Sequence, residues 1–214
     1  MKVGTDAVLL GAWCLLPESG EVLDVGCGSG VISLMMAQRA PKVQVSGIDI
    51  HGPSVVQARE NAARSPFVNV QFIEGDFIAL RFPTLFDSIV SNPPYHTEDL
   101  LAPNAARAAA RNTAFLSFGN LVQRAAELLK ENGLLQVILP SAAAALFHEE
   151  CNKRCLSLVR ITHVRTTVKK APKRVLMAFK KGMVESVERD EIILQDEGGS
   201  RTEMYSSLCK DYYL

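Results

Sequence analysis

A short apolar run, Val22-Leu23-Asp24-Val25, enters Gly26-Cys27-Gly28-Ser29-Gly30 and leaves through Val31–Arg39, whose pattern is helical. Glycines at alternate positions let a ligand approach the backbone closely, and the helix that opens there offers free N–H groups. A strand feeding such a loop and helix belongs in a parallel sheet, because the chain must cross over before its next strand can pair. The rest of the chain keeps that rhythm. Buried strands are expected at Glu21–Val25, Val43–Ile48, Val70–Ile73, Asp87–Ser91, Leu134–Leu139, Val159–Val164 and Val175–Phe179. Helices are expected at Val31–Arg39, Ser54–Arg64, Leu121–Lys130 before Gly133, and Ala142–Arg154 after Pro140. This alternation predicts one α/β domain over residues 1–214, a doubly wound, mostly parallel sheet of seven strands. After Leu156 the pattern becomes strand–loop–strand, with Thr166–Lys173 between, which predicts a late antiparallel hairpin at one edge. The long Ala- and Arg-rich segment His96–Phe118 follows a strand end and reads either as a lid or as a surface helix and loop.

Composition excludes several classes. Hydrophobic residues are 48% and charged residues 21% of the 214, the balance of a globular chain. No apolar run approaches the roughly 18 residues of a membrane helix, and the opening Met1-Lys2-Val3-Gly4-Thr5-Asp6 lacks the apolar stretch of a signal peptide. The cysteines number five, with no Cys-x-x-Cys pair. Neither a disulfide framework nor a metal site is expected; reduced thiols in a cytosol are. Cys151 and Cys155, one helical turn apart, read as two buried small hydrophobes. The formal net charge of zero hides an asymmetry: Cys151 to Val184 holds ten Lys or Arg and no acid, whereas Glu185 to Glu197 holds six acids and one base. The basic block fits a phosphate-facing surface or a solvated face balanced by acids elsewhere in space, and the sequence favours neither.

The loop differs from a dinucleotide fingerprint, since Val31 stands where a third glycine would fall. Asp24, ending the strand before it, would repel a pyrophosphate but suits a sulfonium or an amino-acid ammonium. Asp49, followed by Ile50, closes the next strand, where a carboxylate can accept ribose hydroxyls. Asp76 and Phe77 close the third, placed for an adenine amino group and ring. An aspartate at one strand end is commonplace; three in succession behind a glycine loop resemble the seven-stranded, Rossmann-like class I methyltransferases. That resemblance covers essentially the whole chain and implies S-adenosylmethionine as cofactor, held by Gly26, Gly28, Gly30 and these acids.

The fourth strand ends in Asn92-Pro93-Pro94-Tyr95. The lone pair of an aromatic amine is delocalised into its ring, so two acceptors aimed at its N–H bonds favour the pyramidal nitrogen of a transition state. The Asn92 side-chain oxygen and the Pro93 carbonyl are candidates; Pro93 and Pro94 stiffen the turn, and Tyr95 offers a face for a base to stack on. The motif is similar to those of adenine-N6, guanine-N2 and protein glutamine-N5 methyltransferases. The opening Lys2-Val3-Gly4-Thr5-Asp6 through Trp13, Arg111-Asn112, Pro172-Lys173-Arg174-Val175-Leu176 and the ending Tyr205 to Leu214 resemble the bacterial tRNA1(Val) adenine N6-methyltransferases.

That resemblance implies methylation of the adenosine 3′ of a valine anticodon, by a cytoplasmic enzyme acting as a monomer on tRNA, without metal or membrane. A base already in a loop needs little unpairing. It also places Gly4 and Thr5 near the methionine end of the cofactor, where Thr5 or Asp6 can equally cap the helix to Trp13. Arg111, Lys169, Lys170, Lys173 and Arg174 are expected on RNA. Family members carry a short aromatic and basic segment ahead of Lys2, whose lack is expected to weaken RNA binding; Cys27 replaces a more frequent Ala or Thr. Glutamine-N5 enzymes carry an N-terminal helical domain for which this chain has no room. A non-catalytic RNA-binding factor on the same scaffold is the other alternative.

Overall fold

The structure, a computed structural model, describes residues 4–94 and 116–212. In chain order its elements are α1 (Thr5–Trp13), β1 (Gly20–Val25), α2 (Val31–Arg39), β2 (Val43–Asp49), α3 (Gly52–Ala63), β3 (Val70–Glu74) and β4 (Phe86–Ser91). These are followed by α4 (Phe118–Leu128), β5 (Leu129–Pro140), α5 (Ala144–Asn152), β6 (Leu156–Arg165), β7 (Arg174–Lys181), β8 (Glu188–Ile193) and α6 (Glu203–Leu208). The sheet order is β3-β2-β1-β4-β5-β7-β6-β8. β7 pairs antiparallel with both β5 and β6, and the other pairs are parallel.

Alternate residues of each strand feed opposite layers. Leu23, Val25, Ile89, Val137 and Leu139 pack with α4 and α5 on one side, through Leu121, Ala125 and Phe147. Val22, Val45, Val90 and Ile138 pack with α1, α2 and α6 on the other, through Leu10, Met36 and Tyr205. A sheet apolar on both faces requires helices on both. The first helix is anchored far along the chain: Trp13 Nε1 donates to Thr162 Oγ1 on β6 at 2.9 Å, and the Arg160 guanidinium lies 4.8 Å from the Trp13 ring centre.

The sheet has eight strands rather than the expected seven. β8 is read from Glu188-Arg189-Asp190-Glu191, too charged for a buried strand, and it lies at the edge with four of its six residues exposed. Its acids meet the arginines of β6: Arg160 pairs with Glu188 and Asp190, and Arg165 with Glu191. Charged edge strands of this kind resist edge-to-edge association. The late hairpin therefore forms as expected but is not the edge; β8 covers it. Helix α4 ends at Leu128, not Lys130, and β5 begins at once, with Asn132 at φ 65° where its register against β4 is irregular. Cys151 is buried as expected, whereas Cys155 is exposed, beyond the end of α5 and at φ 55°.

Candidate functional site

The order of strands reverses at the β1–β4 seam: β2 and β3 extend the sheet on one side, β4 and β5 on the other. Helices leave such a seam in opposite directions, opening a crevice outside the strands' carboxyl ends. A cleft of about 1080 Å³ lies there. Gly26 and Gly28 form its floor at φ 73° and 53°, in the left-handed region that disfavours side chains. A Cβ on Gly26 would meet no atom within 4 Å, so bare backbone faces open space. The loop is pinned from behind: Gly26 and Cys27 N–H groups donate to the Ile48 carbonyl at 2.9 and 3.1 Å.

Asp49 joins that loop to the cleft. Its Oδ2 accepts from the Gly28 N–H and its Oδ1 from the His51 N–H, each at 2.8 Å, which fixes the carboxylate at the end of β2. Asp76, exposed, accepts from the Ile78 N–H at 2.9 Å, and Phe77 beside it is buried with Ile48 and Phe86. The two held carboxylates line the cleft together with Ile50, Phe77 and Ile78. Acceptors for vicinal hydroxyls beside an apolar slot fit a nucleoside. Gly4, Thr5 and Asp6, at the start of α1, line it as well.

Asn92 and Pro94 also line the cleft, and Pro93 between them in sequence is buried. Ser91 locks the turn by donating its hydroxyl to the Val25 carbonyl at 2.8 Å, so the end of β4 is tied to the strand that leads into the glycine loop. The Asn92 side chain makes no hydrogen bond with the described residues. Tyr95, Arg111 and residues 96–115 of the expected lid lie outside the described residues; Leu116, where description resumes, lines the cleft.

Two expected cofactor residues are placed elsewhere. Asp24 is fully buried, because its side chain shares the face of β1 with Val22 and points toward α2, not into the cleft. Its Oδ2 accepts from the Ser33 hydroxyl at 2.6 Å and its Oδ1 has no partner. Burial pushes this carboxyl up to about 7, against the Ser33 hydrogen bond and with help from the charge of Asp49. Gly30 is likewise buried and off the cleft: at φ 83° it starts α2, and a Cβ there would lie 2.6 Å from Phe72. Neither Thr5 nor Asp6 caps α1; Gly4 holds the cap position and no side chain closes it.

Sequence reasoning passed over His51, Ser54 and Asn120, which also line the cleft. His51 Nδ1 lies 2.8 Å from Ser54 Oγ at the start of α3. Their signal is position alone, directly after a strand-end aspartate. Asn120, in the first turn of α4, follows the long segment and has no such cue.

Topology divides the basic block. β6 and β8 run parallel to β5, so the β6–β7 loop with Lys169, Lys170 and Lys173 stands at the carboxyl edge, on the side of Asn92. Lys180 and Lys181 pair with Leu134 and Leu156 at the opposite edge, near Lys153 and Arg154. Acids neutralise much of the block: Lys169 pairs with Glu197 at 2.9 Å, Lys153 with Glu149 and Glu150, and Arg174 with Asp6 at 2.7 Å. Lys170 and Lys173 are exposed and make no ion pair with the described residues.

The methyltransferase small domain model matches residues 4–146. A tRNA1(Val) (adenine(37)-N6)-methyltransferase of Phocaeicola vulgatus is 41% identical over 215 residues, covering all of this chain and 91% of the relative. One from Proteus mirabilis with the same name is 36% identical, covering all of this chain and 88% of the relative. Among solved structures, a predicted O-methyltransferase from Agrobacterium tumefaciens superposes with a TM-score of 0.74 at 20% identity, covering 96% of each chain, a likeness of fold.

Proposed function

The chain belongs to the methyltransferase small domain family and, within it, to the tRNA1(Val) adenine-N6 methyltransferases, and on that premise we propose that it methylates the exocyclic N6 of an adenine in tRNA. The observation that carries the reading is the seam itself: Asn92, Pro94 and the glycine loop line one cleft, held together by the Ser91–Val25 hydrogen bond. The acceptor is the adenosine 3′ of the anticodon in a valine tRNA; both relatives are named for adenine 37 of tRNA1(Val).

S-adenosylmethionine supplies an electrophilic methyl group carried on a sulfonium. Gly26 and Gly28 would hold its amino-acid portion against bare backbone, Asp49 its ribose hydroxyls, and Asp76 with Ile50 and Phe77 its adenine, while Gly4 and Thr5 border the methionine end. Asp24 contributes indirectly, through Ser33 and the packing behind the loop. The Asn92 side-chain oxygen and the Pro93 carbonyl accept the two N–H bonds of the target amine, drawing its lone pair out of conjugation. The proton leaves to water after transfer, so no strong base is required. Lys169, Lys170, Lys173 and Arg174 contact tRNA phosphates from the carboxyl edge, with Tyr95 and Arg111 at the acceptor. A cytosolic monomer completes the proposal; the free cysteines fit a reducing compartment.

The test is tritiated methyl transfer to total tRNA lacking the native modification, followed by nucleoside analysis. Label in N6-methyladenosine is expected; label in a guanosine, or in protein alone, overturns the assignment.

A further inference from the structure

One ion pair joins the RNA-facing loop to the cofactor cleft. Arg174 follows the basic β6–β7 loop directly and begins β7, opposite Pro140 on β5 and Val164 on β6. Its Nε donates to Asp6 Oδ2 at 2.7 Å, and Asp6 borders the cleft in the first turn of α1. The two side chains are 32% and 24% exposed, so water screens the pair only in part. Both ends are mounted on rigid structure. Behind Asp6, residues Val8 to Trp13 are buried without interruption. Behind Arg174, the Lys173 N–H donates to the Val164 carbonyl at 2.9 Å and the Ser141 N–H to the Lys173 carbonyl at 3.2 Å. The loop itself is braced by Arg165, whose Nη1 donates to the Lys170 carbonyl at 3.1 Å.

We propose that Asp6 and Arg174 are positioning residues that couple the two substrates: a tRNA phosphate on Arg174 fixes the guanidinium, which holds the start of α1 over the methionine end of the cleft. A guanidinium carries five donors in a planar fork, so it can bind a carboxylate and a phosphate at once, which an ammonium does less well. Linkage then runs both ways, cofactor strengthening tRNA binding by the factor by which tRNA strengthens cofactor binding. The inference rests on the tRNA reading above.

Calorimetry of S-adenosylhomocysteine binding, with and without an unmodified tRNA transcript, tests it. The unaltered chain is expected to bind at least about fivefold more tightly with tRNA present. In Asp6→Asn and in Arg174→Gln that ratio falls to near one, and the double variant falls no further, because the residues act as one unit. Thermal melting establishes that the variants are folded. The ratio is informative because a merely structural role would weaken binding equally in both arms. A ratio of one in the unaltered chain overturns the coupling, as does a folded variant that keeps the full ratio. Methyl transfer by the unaltered chain is measured alongside. Its absence removes the assigned reaction and the coupling with it, whereas transfer with a ratio of one removes the coupling alone.

Discussion

Asn92 stands at the point where the sheet's chemistry is concentrated, and its side chain is available on the cleft wall. Asn92→Ala removes one of two acceptors for the target amine while leaving the loop and its carboxylates intact. We expect kcat to fall by about 10²–10³, with S-adenosylhomocysteine affinity in calorimetry within a few-fold of normal; near-normal turnover would remove the mechanism. Asp24 has a different kind of consequence. Its folded pKa, about 7, lies above the ordinary carboxyl value of about 4, so between those values the folded state holds a proton that the unfolded state has released. That contribution is fully present below pH 4 and is lost as pH rises through 7. Asp24→Asn cannot ionise, so its stability relative to the parent should grow by up to about 1.4 kcal/mol per pH unit across that window. Denaturant titrations at pH 5 and pH 7 measure it, and an unchanged difference would show that the carboxyl is not buried in this way. The sequence made Asp24 conspicuous by its place before the loop. Which way it pointed depended on strand alternation and on Ser33 across the layer, neither visible in the motif.

At the scale of elements, the β6–β7 loop and the opposite edge carry similar charge but should behave differently. Reversing Lys169 and Lys170 to Glu should weaken tRNA binding and reduce its salt slope by about 0.7–0.9 per lost phosphate contact. Reversing Lys153 and Arg154, at the far edge, should change neither. Equal effects from the two pairs in filter-binding titrations across a salt series would return the block to a diffuse charged face. In sequence the ten basic residues form one block; an antiparallel β7 sends its start and its end to opposite edges. The parallel core was legible because its strands are mostly apolar and because Gly26, Gly28 and Gly30 follow β1 and Pro93 and Pro94 follow β4, where the chain leaves the sheet. β8 was not, since Glu188–Glu191 has the composition of a solvated loop and becomes a strand only because Arg160 and Arg165 are waiting beside it. Helix α6 was hidden for a related reason: it is short, and only Tyr205 in it is buried.

For the molecule as a whole, helix α1 is tied to the far side of the sheet by side-chain contacts, of which the Trp13–Thr162 hydrogen bond is buried. Thr162→Val keeps the volume but leaves the indole N–H without an acceptor, and should cost about 1–3 kcal/mol in denaturant unfolding; a smaller loss would mean that water reaches the indole. The partners are separated by 149 residues, and Asp6 and Arg174 by 168. Helix α1 packs on α2, its neighbour in sequence, where Arg39 Nη1 donates to the Gly11 carbonyl at 2.7 Å, but these two polar anchors come from β6 and β7. Contacts over such separations slow folding, so the part of the cleft lining that Asp6 provides takes its full set of contacts only once the far strands are in place.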